Sequence, residues 1–219
     1  MIRIGKRLKA IAEFIDKCAV VADVGADHGK LLLHLANQGV IAKGYGIENK
    51  PGPFRILKDN LDHQSVAELL PVFQDGITKL ENDVDTIVLA GMGGDTIVNI
   101  LKDGLSSLNN VNTIITDSHT SIGEVRRYII ELGFIIQDEV LVDENRKYYE
   151  IIKFIRSDKE VNYSDFEYRR GPIIIKSPEF RQYAKVLIKK IDVILAKDLP
   201  QLMKQMLIQE REALLPYEN

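Results

Sequence analysis

A group of acidic and glycine residues near the start of the chain is the first feature that could do chemistry. Asp23, Gly25 and Asp27 stand in the stretch DVGADHG, which follows the apolar run AVVA at residues 19–22. Ligands of open α/β sheets bind beyond the carboxyl ends of the strands, and glycine lets the backbone approach a ligand closely because it lacks a Cβ. The stretch is therefore a candidate ligand site, although an acid-x-Gly turn is also an ordinary connection between a strand and a helix.

Three later sites repeat this pattern of an acid or glycine after an apolar run. Glu48 lies roughly 20 residues beyond the glycine turn, where a carboxylate can accept hydrogen bonds from both hydroxyls of a ribose. Asp75 and Gly76 follow the third run, where an acid can hold an adenine amino group, although Asp-Gly is also a common turn. The segment AGMGG at residues 90–94 indicates backbone pressed against a ligand or a target base, with Met92 as an apolar wall. Together these sites favour a nucleoside cofactor.

A parallel sheet would bring these four sites together at one edge. Apolar runs alternate with stretches of helical periodicity as far as residue 132. The predicted strands are Ala19–Gly25, Lys43–Ile47, Leu69–Phe73, Asp85–Ala90 and Asn112–Thr116. The predicted helices are Lys6–Lys17, Lys30–Gln38, Phe54–His63, a segment that ends at Leu101, and Ile122–Leu132. Repeated strand–helix units predict a parallel sheet with right-handed crossovers.

Two further β-rich runs follow without a helix between them. Phe134–Val142 and Tyr148–Ile155 are separated only by the polar residues 143–147, a gap too short for a helical crossover. We therefore predict that these runs form an antiparallel hairpin. An α/β, Rossmann-like sheet that ends in such a hairpin is the seven-stranded sheet of class I methyltransferases.

The pattern changes after Arg156. Residues 157–164 are polar and predict a connector, whereas the chain from Pro178 onward has helical periodicity that is broken at Pro200. Two antiparallel helices are the simplest interpretation. We therefore predict a cofactor-binding domain at residues 1–156 and a small helical extension at residues 157–219.

Composition sets limits on the class of protein. A length of 219 residues suits one α/β domain with a modest appendage, and the 45% hydrophobic and 28% charged shares are typical of a globular chain. No apolar run approaches the roughly 20 residues that span a bilayer, and the N-terminus lacks a secretory signal. The single cysteine, Cys18, excludes an internal disulfide, and no Cys/His cluster has zinc-ligand spacing. We expect a cytoplasmic protein with no membrane or metal partner.

The net charge of −3 does not by itself indicate a nucleic-acid partner, but the distribution of charge matters more than the sum. Basic residues form two clusters, Arg3, Lys6, Arg7 and Lys9 near the N-terminus and Arg169, Arg170, Lys176, Arg181, Lys185, Lys189 and Lys190 in the C-terminal region. Taken alone, these clusters are solvated faces of helices and loops. A catalytic domain that acts on RNA would give them a role.

Several motifs in this order resemble the TrmK family of bacterial tRNA (adenine(22)-N1)-methyltransferases. The most specific are the Asp-His of the first turn and the Ala-Gly-Met-Gly-Gly segment, and the likeness covers nearly the whole chain. The matching stretches are Asp23–His28, Glu48 with Gly52-Pro53-Phe54, Asp75-Gly76-Ile77, Leu89–Gly94, Tyr149-Glu150-Ile151 and Gly171-Pro172. One stretch departs from the family: Thr116-Asp117-Ser118-His119 stands where Gln-Pro-Asn is usual, in a loop that we expect to face the active site.

The resemblance implies methyl transfer from S-adenosyl-L-methionine to adenine N1 of tRNA. It implies cofactor contacts from Asp23, Gly25, Asp27, His28, Glu48, Asn49, Asp75, Gly76, Ala90, Gly91, Met92 and Gly93. It implies roles at the target base for Asp27, which would hold or orient the adenine, for His28 and Met92, which would shape the pocket, and for Asp117 with His119, which would add a polar contact. The C-terminal helices would clamp the RNA through Arg169, Arg170, Lys176 and Arg181, in a monomer or weak dimer.

Two other functions fit part of the pattern. An NAD-dependent oxidoreductase shares the glycine turn and the acid after the second strand, but this chain lacks G-x-G-x-x-G and ends its sheet in a hairpin. A non-catalytic RNA-binding or regulatory protein on a methyltransferase fold is favoured by the departure at Asp117 and its neighbours.

Overall fold

The computed structural model describes residues 4–63 and 66–218, so Arg3 of the N-terminal basic cluster lies outside the described residues. Seven strands form one sheet in the order β3-β2-β1-β4-β5-β7-β6. The strands are β1 (Val20–Val24), β2 (Lys43–Glu48), β3 (Glu68–Phe73), β4 (Thr86–Met92), β5 (Thr113–Ser118), β6 (Phe134–Glu144) and β7 (Lys147–Arg156). The helices are α1 (Lys6–Glu13), α2 (Lys30–Asn37), α3 (Pro51–Asp62), α4 (Gly94–Asp103), α5 (Ile122–Glu131), α6 (Asp165–Arg170), α7 (Pro178–Leu195) and α8 (Gln201–Leu214).

The first five strands are parallel, and the strand order reverses between β1 and β4. The central strands β1, β4 and β5 are buried over most of their length, because helices on both faces of a parallel sheet cover it. The reversal opens a crevice at the carboxyl ends of β1 and β4, which is where ligands bind in this class of fold. The predicted seven-stranded Rossmann-like architecture is confirmed.

The hairpin β6–β7 adds the antiparallel end of the sheet, with β7 paired to β5. Its turn contains only Asn145 and Arg146, and both have positive φ, 54° and 64°. Two residues in this conformation match the right-handed twist of the flanking strands. The predicted polar gap at residues 143–147 was therefore too long, since Glu144 and Lys147 already pair across the hairpin.

A buried ion cluster connects the hairpin to α5. Arg126 is fully buried and donates from Nε to Glu139 Oε1 at 2.8 Å and from Nη2 to Glu150 Oε2 at 2.7 Å. Burial acts to lower the pKa of Arg126, but the charges of Glu150 and Glu139 outweigh it and raise that pKa above its ordinary value. The Glu150 of the Tyr-Glu-Ile motif is thus a structural residue.

Other element boundaries differ from the predictions for local reasons. Helix α1 ends at Glu13 rather than Lys17, because the chain turns at Cys18 (φ 66°), whose N–H donates to Val40 O at 2.8 Å. Strand β4 continues to Met92, and β5 continues to Ser118, so the glycine after Ala90 lies inside a strand. Helix α6 was not predicted, although Ser164 and Glu167 form a capping box at its start.

The chain divides into two compact units, Met1–Val161 and Asn162–Asn219. The first unit has its own apolar core between α1, α2, α3 and the sheet. In the second unit, α7 and α8 pack together, and the Phe180 ring meets the Tyr217 ring edge-on with centroids 5.1 Å apart. Among the described helices, none combines the length and the apolar character needed to cross a membrane.

Candidate active site

A cavity of about 480 Å³ lies at the carboxyl ends of β1, β2, β3 and β4. It is lined by residues from the turns that follow these four strands and by one face of α4. Its lining includes nine of the residues predicted to bind the cofactor: Gly25, Asp27, Glu48, Asn49, Asp75, Gly76, Ala90, Gly91 and Met92. The four separate sequence signals therefore meet in one cavity.

The turn after β1 depends on Gly25. Its φ is +73°, and the N–H groups of Gly25 and Ala26 both donate to Ile47 O, at 2.9 and 3.0 Å. A Cβ at Gly25 would lie 3.3 Å from Met92 Cε, so a side chain here would both strain the backbone and crowd the wall of the cavity. This close approach is what the sequence predicted for a ligand-binding turn.

Glu48 is held at the end of β2 with one oxygen left for a ligand. The carboxylate is buried, and Oε1 accepts from the backbone N–H groups of Asn49 and Lys50, at 3.1 and 3.0 Å. Within residues 4–63 and 66–218, no group donates to Oε2. Asn49 in turn donates from Nδ2 to Asp75 Oδ1 at 2.7 Å, which fixes the two acids of β2 and β3 relative to each other. Two oriented carboxylates on neighbouring strands can accept from a ribose and from an adenine amino group.

A second cavity of about 100 Å³ adjoins the first and shares Gly25, Asp27 and Ala90 with it. Asp23 and His28, the two remaining acidic or basic residues predicted from the first motif, line this smaller cavity. It also contains two cations, Arg7 and Lys30. The smaller cavity therefore offers both charge signs to a ligand.

Asp23 is buried at the end of β1. Burial raises the pKa of Asp23 from 3.8 to about 7, although the nearby positive charge of Arg7 acts to lower it. A carboxyl group with this pKa changes its charge near neutral pH. Its ionisation therefore responds to any charged ligand that enters the smaller cavity.

Asp27 and His28 lie at the mouth of the site. Asp27 has a positive φ of 51°, and its side chain is exposed with Oδ1 3.5 Å from His28 Nε2. Asn60 of α3 donates to His28 O at 2.9 Å, which holds the loop from outside. Their exposure places both side chains where a base could meet them.

Three predicted site residues, Asp117, His119 and Gly93, do not line either cavity. The backbone N–H of His119 donates to Met92 O at 2.9 Å, and its ring centroid lies 6.0 Å from that of Tyr149. Asp117 is part of β5 rather than of a loop, and it is fully buried in an ion pair with Arg7, so the predicted contact with the base is blocked. Gly93 lies beside the loop after β5, where a Cβ would meet Thr120 Oγ1 at 3.3 Å. Its small size serves packing between β4 and that loop.

The sequence did not reveal several cavity residues. The sequence predicted Arg7 to lie on the solvated face of a helix, but in the structure it forms an ion pair with the buried Asp117. Thr96 and Ile100 stand four residues apart on α4, a spacing that a helix after the glycine segment could have indicated. Further polar residues and a proline that were not predicted line the cavities: Lys50, Pro53 and Gln74 in the first and Lys30 in the second. Among the described residues, no group of three or more His, Cys, Asp or Glu side chains could hold a metal ion.

Comparison with known proteins defines the class first. A family model for a methyltransferase domain matches residues 4–152, and the chain belongs to that family. This is the domain that contains both cavities.

Individual relatives narrow the likeness. The chain is 27% identical over 175 residues to the tRNA (adenine(22)-N(1))-methyltransferase of Bacillus subtilis, which covers 79% of this chain and 74% of the relative. The structure of Sp1610 from Streptococcus pneumoniae, solved in complex with S-adenosyl-L-methionine, is 28% identical with a TM-score of 0.90, covering 99% of this chain and 100% of that one. TrmK of M. capricolum, in complex with S-adenosyl-homocysteine, shares the fold at 20% identity, a TM-score of 0.86 and 98% and 97% coverage. The resemblance to the TrmK family that the motifs carry is confirmed.

Proposed function

We propose that the chain transfers a methyl group from S-adenosyl-L-methionine to N1 of adenine in tRNA, at position 22 by its likeness to the Bacillus subtilis enzyme. The observation that carries this proposal is the cavity in which Gly25, Glu48, Asp75 and Gly91 meet. We propose that the reaction takes place in the cytoplasm, because a chain with a single cysteine and no internal disulfide suits that reducing compartment.

The residues present fit this cofactor. A volume of about 480 Å³ is within the usual range for small-molecule sites. Gly25 leaves room that a Cβ would take, Glu48 keeps Oε2 for the ribose, and Asp75 keeps Oδ2 for the adenine amino group. The smaller cavity with Asp23 then receives the amino-acid end. Acidic side chains on three strand ends suit a cofactor with a cationic sulfonium.

When bound, the cofactor supplies an electrophilic methyl group, and the adenine N1 lone pair forms the new bond as the carbon–sulfur bond breaks. The nucleophile is already a lone pair, so the protein needs no strong general base. Its residues align the two reactants and exclude water. Met92 forms the apolar wall beside the cofactor turn, and the exposed Asp27 and His28 are placed to meet a base that has been turned out of its stack.

The second unit carries the cations that we assign to the tRNA backbone. Arg169 and Arg170 both donate to Glu210, at 2.9 and 2.7 Å, so within this unit they are already engaged in ion pairs. Lys176 and Arg181 are therefore the stronger candidates for phosphate contacts. This departs from the equal roles that the sequence suggested for all four.

Methyl transfer to unmodified tRNA with a tritiated cofactor tests the proposal. We expect label in tRNA and 1-methyladenosine at position 22 on nucleoside mapping, and no label in a tRNA with uridine at that position. Binding of tRNA and cofactor without transfer would favour the non-catalytic RNA-binding protein. Calorimetric binding of NAD without binding of S-adenosyl-L-methionine would favour the oxidoreductase.

A further inference from the structure

Arg7 contacts both a buried residue of the sheet and the smaller cavity. Its Nη1 donates to Oδ2 of the fully buried Asp117, and its guanidinium carbon lies 5.5 Å from the centre of the Tyr149 ring. A Cβ at Gly91 would lie 3.3 Å from Arg7 Nη1, so the guanidinium lies against the glycine of β4 that lines the main cavity. Arg7 itself lines the smaller cavity.

The guanidinium is held in a fixed orientation and still has donors to offer. The side chain of Arg7 is 24% exposed, against 0% for Asp117. A guanidinium carries five N–H donors, and the ion pair with Asp117 uses the Nη1 group. The planar fork of arginine matches a carboxylate better than an ammonium group does. An anion in the smaller cavity would therefore meet an oriented donor.

The composition of the smaller cavity fits one end of the cofactor. An α-amino acid end group is a zwitterion, with an ammonium and a carboxylate attached to the same carbon atom. The cavity supplies acceptors from Asp23 and Asp27 and cations from Arg7 and Lys30 within about 100 Å³. The smaller cavity joins the main cavity at Gly25 and Ala90. The amino-acid end of a cofactor whose ribose is bound to Glu48 would reach the smaller cavity there.

We infer that Arg7 binds the carboxylate of the cofactor's amino-acid end, with Asp117 as the buried anchor that orients its guanidinium. This inference rests on the proposed function, because it takes S-adenosyl-L-methionine as the ligand. It also gives a reason for Asp117 in the stretch that departs from the family motif: the carboxylate acts through Arg7 and is a positioning residue. Asp117 Oδ1 is buried without a hydrogen-bond partner among the described residues, so the Arg7 bond at Oδ2 is what compensates this charge.

Calorimetric titration with S-adenosyl-L-methionine and with its decarboxylated analogue tests the inference, because the two ligands differ only in the carboxylate. At about pH 8, above the pKa of Asp23, we expect wild-type protein to bind the full cofactor roughly 10- to 100-fold more tightly than the analogue. In Arg7→Gln this preference should fall to about twofold, with affinity for the analogue unchanged. In Arg7→Lys and Asp117→Asn we expect an intermediate preference, since each keeps one part of the oriented charge.

Lys9→Gln is the matched control, because Lys9 is an exposed cation on the same helix as Arg7 and lines neither cavity. We expect it to retain the wild-type preference. Three results overturn the inference: equal weakening of both ligands in Arg7→Gln, a larger selective loss in Lys30→Gln than in Arg7→Gln, or a tRNA affinity that falls in Arg7→Gln while the ligand preference stays. If Arg7→Gln does not fold, Arg7→Lys takes its place, and a wild-type preference for the full cofactor in that variant overturns the inference. Wild-type protein that binds neither ligand overturns the proposed function itself, which is a distinguishable result.

Discussion

Asp23, which lines the smaller cavity, lowers the stability of the folded protein at neutral pH. The folded pKa of about 7 lies above the unfolded value near 3.8, so the folded state holds the proton more strongly. The stability that this group contributes is present at low pH and is lost as the pH rises from about 4 to about 7. Buried acids with a pKa raised in this way are concentrated at functional sites, where the positive charge of a ligand stabilises the ionised carboxylate that burial disfavours.

Cofactor binding should therefore depend on the ionisation of Asp23. A cationic ligand favours the carboxylate, so we expect affinity for S-adenosyl-L-methionine to rise with pH up to about 7 and then level off, with proton release on binding below that pH. Calorimetry in buffers of different ionisation enthalpy measures both quantities. In Asp23→Asn, affinity should be lower and nearly independent of pH, and the protein without ligand should melt at a higher temperature at about pH 8.

His28→Gln is the control, because His28 lines the same cavity as Asp23. It should keep the rise of affinity with pH. A flat profile in His28→Gln together with a retained rise in Asp23→Asn would contradict this account.

Glu48 offers a second test at the residue scale. Glu48→Gln can still accept at one oxygen from the N–H groups of Asn49 and Lys50, but it loses the charged acceptor for the ribose. We expect the dissociation constant for S-adenosyl-L-methionine to rise roughly 10- to 100-fold, with little change in melting temperature. Glu68→Gln, at the opposite end of the sheet, is the control and should bind like wild type. Equal binding by both variants would remove Glu48 from the site.

At the scale of elements, buried strands were predictable and short polar elements were not. The apolar runs that became β1 and β4 are nearly continuous because helices cover both faces of a parallel sheet, so these strands could be predicted from the runs alone. Helix α6 has six residues and no buried face, and only its capping box marks it. Where β5 ends depends on its pairing with β4 and β7, which is a tertiary property, so Asp117 was assigned to a loop.

The buried cluster between α5 and the hairpin should dominate the stability of that end of the sheet. Arg126→Met leaves Glu139 and Glu150 buried without their shared counter-charge, which typically costs about 3–5 kcal/mol. For a chain of this length we expect the melting temperature to fall by about 10 °C. Arg55→Met, at an exposed arginine of α3, should change it by no more than about 2 °C. Calorimetric melting of both variants measures these shifts. Equal melting temperatures for the two variants would contradict a dominant contribution of the cluster to stability.

The hairpin turn offers a stabilising change. Arg146 has φ 64°, a left-handed conformation that costs a residue with a Cβ about 1–2 kcal/mol. Glycine adopts this conformation without strain and loses part of the gain to its larger unfolded-state entropy. We expect Arg146→Gly to raise the free energy of unfolding by about 0.5–1 kcal/mol in urea denaturation. Lys147→Gly, in the extended strand next to it, should lower that free energy.

At the scale of the whole molecule, the sequence predicted residues that meet in one cavity, but it did not predict the ion pairs around that cavity. Strand order decides which carboxyl ends meet, and the alternation of strands and helices fixes that order within this class of fold. The ion pairs of Arg7 with Asp117 and of Arg169 and Arg170 with Glu210 join residues far apart in sequence. The periodicity of a sequence does not predict which distant residues pair. Cations that looked equivalent in the sequence therefore have different partners in the structure.

The division into two units leads to a prediction about the separate roles of cofactor and tRNA binding. Among the residues that the structure describes, the buried members of the main apolar core run from Ala10 to Ile151, so a fragment of residues 1–161 should fold. We expect it to bind S-adenosyl-L-methionine within about twofold of the full chain and to bind tRNA at least about 10-fold more weakly. In the full chain, Lys176→Gln and Arg181→Gln should each lower the slope of log affinity against log salt by about 1, because each removes one phosphate contact. Filter binding over a range of salt concentrations measures these slopes. A fragment that retains full tRNA affinity would move the RNA contacts to the methyltransferase unit, and unchanged slopes in both variants would remove Lys176 and Arg181 from the interface.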